Sequence, residues 1–452
     1  MWWRAPWLKQ RLLLLSLAIV DGLLSIGAYN VLYWHRFGVW PGVTTSVAML
    51  TGMWLATSYL LGRYSSPDAG QRDSQRRRLL ATAVVALVVL IAVVVVLSWG
   101  LKVSDPRTFR GFLLPLLAIL ATGSALGQQW ITRRLRQRRR WLLVGDPREL
   151  EVLRSELGTR ALDHRFLACS GVSMETLPAF RQEELHGIAV SEGADLGDAL
   201  LQSLLARRGG GGSFCSLVVW AEQHLQRVPP ELFSSRWLVQ AEGFELQPGR
   251  WGWRLKRLGD VVVACLLLLL AAPLLAFAAL LIRLEDGGPV FFGQTRTGLY
   301  GSPLRIWKLR SMRVDAERFG AQWAGRDDPR ITRVGHWLRK LRIDELPQLV
   351  SVVSGEMSLI GPRPERPELE LDLEQRIPHY RVRHWVRPGL SGWAQVCYPY
   401  GASLEDSRMK LSYDLFYLRN ANLMLDFLIL IKTLRLLARA KGAVPQESPV
   451  TS

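Results

Sequence analysis

One short run, Leu338-Arg-Lys-Leu-Arg-Ile-Asp344-Glu345-Leu-Pro-Gln348, sets two adjacent carboxylates among several cations. The apolar positions Leu346, Leu349, Val350 and Val353 recur at helical spacing, which predicts a helix with Asp344 and Glu345 at its N-terminus. Free amides and the positive end of a helix dipole stabilise an ionised carboxylate there and attract phosphate oxygens. A carboxylate of that kind beside a bound phosphate can serve as a nucleophile or as a metal ligand. The same two residues also suit an ordinary capping turn, since Asp at the N-cap with Glu in the first turn is common.

Three further clusters supply groups that bind anions. Lys308-Leu-Arg310-Ser311 carries two cations and a hydroxyl within four residues. Gly361-Pro-Arg363-Pro is a rigid turn presenting one guanidinium, and Arg387-Pro-Gly389-Leu-Ser-Gly392-Trp393 is a second, glycine-punctuated loop. Arginine meets phosphate through two parallel hydrogen bonds, and 49 of the 57 basic residues are arginine. Basic loops of this kind also grip lipid headgroups. A carboxylate pair among such loops points to phosphoryl chemistry on a lipid.

The elements that must position these groups begin in the membrane. Residues 12–34, 40–61, 79–99 and 111–130 are each long enough to span a bilayer, which takes about 20 residues. Asp21 falls inside the first and must face another helix or an end, because an isolated carboxylate in hydrocarbon is costly. Trp34, Trp40, Trp99 and Trp130 mark the ends of these segments, the place indoles take at the interface. No small-residue cleavage site precedes the second span, so a secretory signal is not expected. Basic residues crowd the loop after the second span (Arg63, Arg72, Arg76 to Arg78) and the stretch after the fourth (Arg133, Arg134, Arg136, Arg138 to Arg140). The positive-inside bias places both ends of this four-helix unit in the cytoplasm.

The chain of 452 residues has a net charge of +18 and a mean hydropathy of +0.11, too apolar for a disordered protein. The charge divides as +14 over 1–140, −5 over 141–250 and +9 over 251–452. Because the excess tracks apolar boundaries and the middle is acidic, a nucleic-acid partner is not expected. Cys169, Cys215, Cys265 and Cys397 show no spacing of a zinc site or a disulfide framework.

Residues 141–250 read as a small soluble α/β domain. Trp141-Leu-Leu-Val-Gly145 is a buried strand, Asp146-Pro-Arg-Glu149 a capped helix start, and Ser216-Leu-Val-Val-Trp220 a second strand. Gly145 stands without a GxGxxG fingerprint, so the reading is Rossmann-like without a cofactor. The glycines at 209–212 lack the Lys-Ser/Thr of a phosphate-binding loop. A fifth apolar segment, 261–282, carries no charge and would reach about 33 Å as a straight helix. Basic residues flank both of its ends, and Pro273 sits at its centre, where proline breaks or bends a helix. Two topologies remain open on these grounds: a kinked re-entrant helix, or a fifth span with a tolerated proline.

The C-terminal motifs come in a recognisable order. They are Phe292-Gly-Gln294-Thr-Arg296-Thr-Gly298, Lys308-Leu-Arg-Ser-Met312, Asp344-Glu-Leu-Pro-Gln348, Gly355-Glu-Met-Ser-Leu-Ile-Gly-Pro-Arg-Pro364, Arg387-Pro-Gly-Leu-Ser-Gly-Trp393 and Tyr413-Asp-Leu-Phe-Tyr417. Over about 250–440 the chain resembles the bacterial sugar transferase domain of monotopic polyprenyl-phosphate phosphoglycosyl transferases. The whole resembles the large undecaprenyl-phosphate glucose or galactose phosphotransferases that prime capsule, exopolysaccharide or O-antigen synthesis.

The resemblance implies a multi-domain membrane protein. It has an N-terminal four-helix transmembrane bundle (1–140), a Rossmann-like domain (141–250), and a re-entrant helix broken at Pro273 with a mainly helical α+β catalytic domain (251–452). It further implies that Asp344 attacks a UDP-sugar and releases UMP, and that the phosphosugar passes to undecaprenyl phosphate. Glu345 matches the second acid, which with Asp344 holds Mg²⁺. Lys308, Arg310, Arg339 and Arg363 match phosphate- and nucleotide-binding positions, Arg387 lies in a matching loop, and Asp426 matches an acidic position in the last helix. Ser351 stands where the family usually has asparagine. Implied too are membrane lipids as surroundings, a homodimer, and the cytoplasmic face of the bacterial inner membrane.

Overall fold

A computed structural model describes residues 6–61, 63–64, 82–89, 112–135, 140–158, 164–168, 185–194, 202, 213–241, 251–316, 328–398, 401 and 403–438. The expected third span is described only at 82–89, where it is helical, and the arginines at 72 and 76–78, those at 136, 138 and 139, and the glycines at 209–212 lie outside the described residues.

Helices α1 (Pro6–Phe37), α2 (Thr45–Leu60) and α3 (Leu114–Leu135) pack together near the N-terminus. Their buried contact includes Leu50, Trp54, Leu116 and Leu120, while Leu15, Ile19, Leu23 and Leu126 point outward. Apolar side chains thus face both inward and outward, as a lipid-facing bundle requires. Asp21 is 2% exposed and meets other elements, as its cost in isolation demanded. It accepts from Tyr64 Oη (2.6 Å) and from Ser124 Oγ, with Arg63 at 3.8 Å. Arg63 in turn donates to Ser58 (2.9 Å) and Ser124 (2.5 Å), so one ionic cluster joins α1, the end of α2 and α3. Among the described residues, two helices are long and apolar enough to cross a membrane: Leu15–Phe37 within α1, and α7 (Trp251–Asp286).

Strands β1 (Trp141–Gly145), β2 (Arg165–Ala168), β3 (Gly187–Val190) and β4 (Ser213–Ser216) form a parallel sheet in the order β2-β1-β3-β4. All five residues of β1 are buried. Helix α4 (Pro147–Leu157) starts with the Asp146/Glu149 capping box and buries Leu150, Leu153 and Leu157 at helical spacing. The expected strand at 216–220 is instead a helix: β4 ends at Ser216, whose side chain caps α5 (Leu217–Leu225) at Val219 N–H. Leu217, Val218 and Trp220 of its apolar run are buried, and a continuous apolar stretch does not distinguish strand from helix. A short helix α6 (Ser235–Gln240) follows.

Helix α7 governs the C-terminal half. Its middle, including Leu266, Leu269, Leu270, Pro273 and Phe277, is exposed, whereas both flanks dock on the same body of elements. On one flank Asp260 and Ala264 are buried; on the other, Ala278 and Ile282 pack with Leu309 and Leu338. Strands β5 (Phe291–Thr297) and β6 (Pro303–Leu309) make an antiparallel hairpin with Phe292 opposite Lys308. Helix α8 (Arg333–Lys340) leads into a 3₁₀ segment, Ile343–Gln348, and then α9 (Leu349–Ser354).

Strands β7 (Ser358–Ile360) and β8 (Gly389–Ser391) pair in parallel, with α10 (Pro367–Arg376) between them in sequence. Helices α11 (Trp393–Cys397), α12 (Leu404–Asn420) and α13 (Leu423–Ala438) complete the fold. The middle sheet unit is tied to α12 through Val228 N–H to Ser412 O (2.8 Å) and through Arg408, which reaches Glu156 (2.8 Å) and Glu231 (3.1 Å).

Candidate active site

Asp344 and Glu345 sit in the first turn of the 3₁₀ segment rather than at an α-helix N-terminus. The difference has a local cause. Arg342 precedes them in the left-handed region (φ 58°), which ends α8 and tightens the chain, and Pro347 withholds an amide from the α-helical pattern. The α-helix starts only at Leu349, and Val350 points outward. Both carboxylates are buried, at 7% and 8% exposure.

Three elements converge on Glu345. From β6, Lys308 Nζ donates to Oε1 at 3.0 Å. From the turn after β7, Arg363 sends Nη2 to Oε1 (2.5 Å) and Nη1 to Oε2 (3.4 Å), a two-pronged contact. From the N-cap of the 3₁₀ segment itself, Arg342 lies 3.7 Å from Oε1. Burial alone would raise the Glu345 pKa, but Arg363, Lys308 and Arg342 together hold it well below the usual carboxylate range. Its neighbour behaves oppositely. Burial, and then the charge of Glu345, push Asp344 up to about 6, with Lys308, Arg342 and Arg339 opposing. Asp344 Oδ1 is buried and has no hydrogen-bond partner among the described residues. Two adjacent acids therefore have opposed environments: one is locked by cations, the other is open and more basic.

The loops that carry Arg363 and Arg387 interlock through backbone. Gly361 N–H donates to Ser391 O and Gly389 N–H to Pro362 O, each at 2.8 Å. A methyl group on Gly361 would land on the Arg387 carbonyl and the Gly389 amide, neither of which can swing aside. Gly361→Ala is therefore expected to lower stability by about 1–3 kcal/mol or more and to displace Arg363. Thermal unfolding of the purified variant measures the first, and the Arg363–Glu345 separation in a structure of the variant measures the second. Behind Arg363, Arg383 donates to the Arg363 carbonyl (3.0 Å) and to Asp414 (2.9 Å) at the heart of the Tyr413–Tyr417 motif. Burial pushes Asp414 up to about 6, opposed by Arg383. Burial, with Arg383 beside it, pushes His384 down to about 3, so this ring is neutral.

The structure brings Lys308, Arg363, Asp344 and Glu345 together, with Arg339 within electrostatic reach of Asp344. It separates the other candidates. Arg310 pairs with Asp286 at the end of α7. Asp426 accepts from Lys256 (2.7 Å) and Tyr417 (2.8 Å). Arg387 lies over the Trp253 ring at 4.7 Å. Pro273 is inside α7 and exposed. Sequence reasoning missed Arg342, although its place three residues before Glu345 was a usable signal. It also read Lys256 and Arg257 only as flanking charges.

Could the carboxylate pair hold a divalent cation? Among the described residues no group of three or more Asp, Glu, His or Cys forms a cage for one. The orphaned buried oxygen of Asp344, adjacent to Glu345, still fits an ion such as Mg²⁺, which takes one or two carboxylates and completes its shell with water and substrate phosphate.

Comparison with known proteins follows the same residues. The profile of the family described as bacterial sugar transferase matches residues 251–440. The chain is 48% identical over 189 residues to a UDP-N-acetylgalactosamine-undecaprenyl-phosphate N-acetylgalactosaminephosphotransferase of Aeromonas hydrophila, covering 42% of this chain and 45% of that protein. It is 41% identical over 181 residues to a UDP-glucose:undecaprenyl-phosphate glucose-1-phosphate transferase of Escherichia coli K12, covering 40% and 39%. These two matches span less than half the length of either relative. An undecaprenyl-phosphate glucose phosphotransferase of Komagataeibacter xylinus is 30% identical over 437 residues, covering 89% of this chain and 80% of that protein.

Proposed function

The chain belongs to the bacterial sugar transferase family, and from that premise we propose that it moves a hexose-1-phosphate from a UDP-sugar to undecaprenyl phosphate. The carrying observation is the split carboxylate pair: Glu345 locked by Lys308, Arg363 and Arg342, and Asp344 buried with an open, more basic oxygen. In this reading Asp344 attacks the sugar-linked phosphorus, the bond to the UMP oxygen breaks, and UMP leaves. A phosphosugar-aspartyl intermediate remains. The acceptor's phosphate oxygen then attacks that phosphorus and returns the electron pair to Asp344, giving a polyprenyl-diphospho-sugar. Carboxylate attack divides one transfer between a soluble and a lipid substrate into two simpler ones. Lys308, Arg363 and Arg339 favour the negative charge on the transferred phosphoryl oxygens, where positioning and electrostatics do most of the work. Of the two acids expected to hold Mg²⁺, Asp344 has the unpartnered oxygen that would take it while Glu345 is engaged by cations, and the ion when bound would neutralise phosphate charge.

The proposed placement at the membrane is supported by α7. Its exposed apolar middle and its two flanks on one body suit a helix that enters and leaves on the same side, bent at Pro273. The catalytic elements then rest at the cytoplasmic headgroup level of the bacterial inner membrane, with four helices anchoring the N-terminus. Cysteines introduced as Arg254→Cys and Leu284→Cys are expected to react with an impermeant maleimide in inside-out vesicles and not in right-side-out ones. Reaction of one from each side would establish a full span and overturn re-entry.

The test of the reaction is an assay of the purified enzyme with a panel of UDP-sugars, Mg²⁺ and undecaprenyl phosphate. UMP is the expected nucleotide. Release of UDP would instead indicate direct sugar transfer, and absence of both with every sugar would leave the chain without this activity.

A further inference from the structure

A narrow cleft opens where α7 leaves the catalytic elements, lined by Trp253, Lys256, Arg257, Asp260, Arg387 and Tyr417 together with the apolar Ile360 and Val386. Its charges do not close. Lys256 is paired with Asp426 at 2.7 Å. Asp260 is occupied by Ser358 Oγ–H (2.7 Å) and Leu359 N–H (3.3 Å). Arg257 spends its guanidinium on the carbonyls of Val352 (2.5 Å) and Val353 (2.8 Å), which are neutral. Arg387 stacks on Trp253 and, among the described residues, has no hydrogen-bond or ion-pair partner. Three cations thus stand against two carboxylates, and the surplus is a planar fork held in place by an indole. Burial, and then the Arg257 guanidinium, weaken the hold of Arg387 on its proton, with Asp260 and Tyr300 opposing. Such a site lacks an anion.

Position identifies the anion's source. Trp251, Leu255, Leu258 and Val262 are exposed on the same arm of α7, immediately before its apolar middle. Indoles and arginines at the end of an apolar segment lie at headgroup depth, where the abundant anions are lipid phosphates.

We propose that this cleft binds the phosphate of a membrane lipid through Arg387 and Arg257, as a site separate from the Asp344–Glu345 centre. The proposal rests on the membrane placement of α7 given above. It assigns Arg387 to a lipid rather than to the nucleotide. Phosphate monoesters and diesters share the chemistry that the fork recognises, and the acceptor lipid is the former while bulk phospholipid is the latter.

Binding can be read without catalysis, so its failure and that of the transfer reaction are separable. Full-length enzyme in detergent is titrated with undecaprenyl phosphate and, separately, with a short-chain phosphatidylglycerol, and bound equivalents are counted by native mass spectrometry. One binding step is expected to weaken by roughly tenfold or more in Arg387→Gln and by less in Arg387→Lys, which keeps the charge but loses the planar, stacked fork. Weakening for the diester assigns the cleft to phospholipid, whereas weakening confined to the monoester, whose phosphate must reach Asp344, overturns a site separate from the reaction centre. Thermal unfolding checks each variant. Trp253→Leu, which removes the ring under the guanidinium, gives the same readout if Arg387→Gln folds poorly. Wild-type binding of both lipids by the folded variants overturns the site.

Discussion

Asp344→Asn is expected to lower UMP release by about four orders of magnitude or more, the scale on which covalent nucleophiles fail when removed. An amide oxygen does not attack phosphorus as a carboxylate does, and no second acid can substitute, because Glu345 is bound by three cations. Asparagine matches aspartate in size. It also removes a buried charge that burial and Glu345 both disfavour, so the fold should hold or gain stability. The diagnostic measurement is exchange of labelled UMP into UDP-sugar without acceptor, which reports the first half-reaction alone. Exchange at the wild-type rate in a folded Asp344→Asn protein would falsify the covalent mechanism.

Glu345→Gln carries the next largest effect, and it acts on both stability and rate. Lys308, Arg363 and Arg342 lose the carboxylate that gathers them, leaving three cations close together in a half-buried site. Removing one partner of a fully buried pair costs about 3–5 kcal/mol; water reaches these three in part, so about 2 kcal/mol is expected. Rate falls for a separate reason. The released cations turn to Asp344, make it more acidic, and weaken it as a nucleophile. A drop of roughly a hundredfold in the UMP exchange rate is expected, with a lower unfolding temperature. Unchanged unfolding together with an unchanged exchange rate would show that the cation cluster does not organise the site.

Much of the site was legible because its residues are neighbours in sequence. The Asp344-Glu345 pair, the Lys308-Arg310 cluster and the Arg363 turn were each visible as short runs, and the structure places Lys308 and Arg363 at the pair. Arg310 illustrates the limit. It lies two residues from Lys308, so on a strand both side chains leave by the same face, yet at the strand's end it swings to Asp286. Arg387 and Asp426 looked alike as charged motif positions, but their surroundings are set by α7, which crosses from far away in sequence. The helix at 217–225 was misread for a simpler reason: a buried, continuous apolar run has no period to detect.

By itself the sequence determined that this chain carries apolar segments of membrane-spanning length, that its basic excess sits beside them, and that a carboxylate pair lies among arginine-rich turns. Those properties are local, arising from hydropathy, charge and turn chemistry over a few residues at a time. Only the tertiary structure decided which carboxylate is locked and which is open, because that depends on whether cations from β6 and from the turn after β7 arrive at Glu345 or Asp344. Electrostatic energy depends on separations of a few ångströms between groups remote in sequence, and packing alone sets those separations.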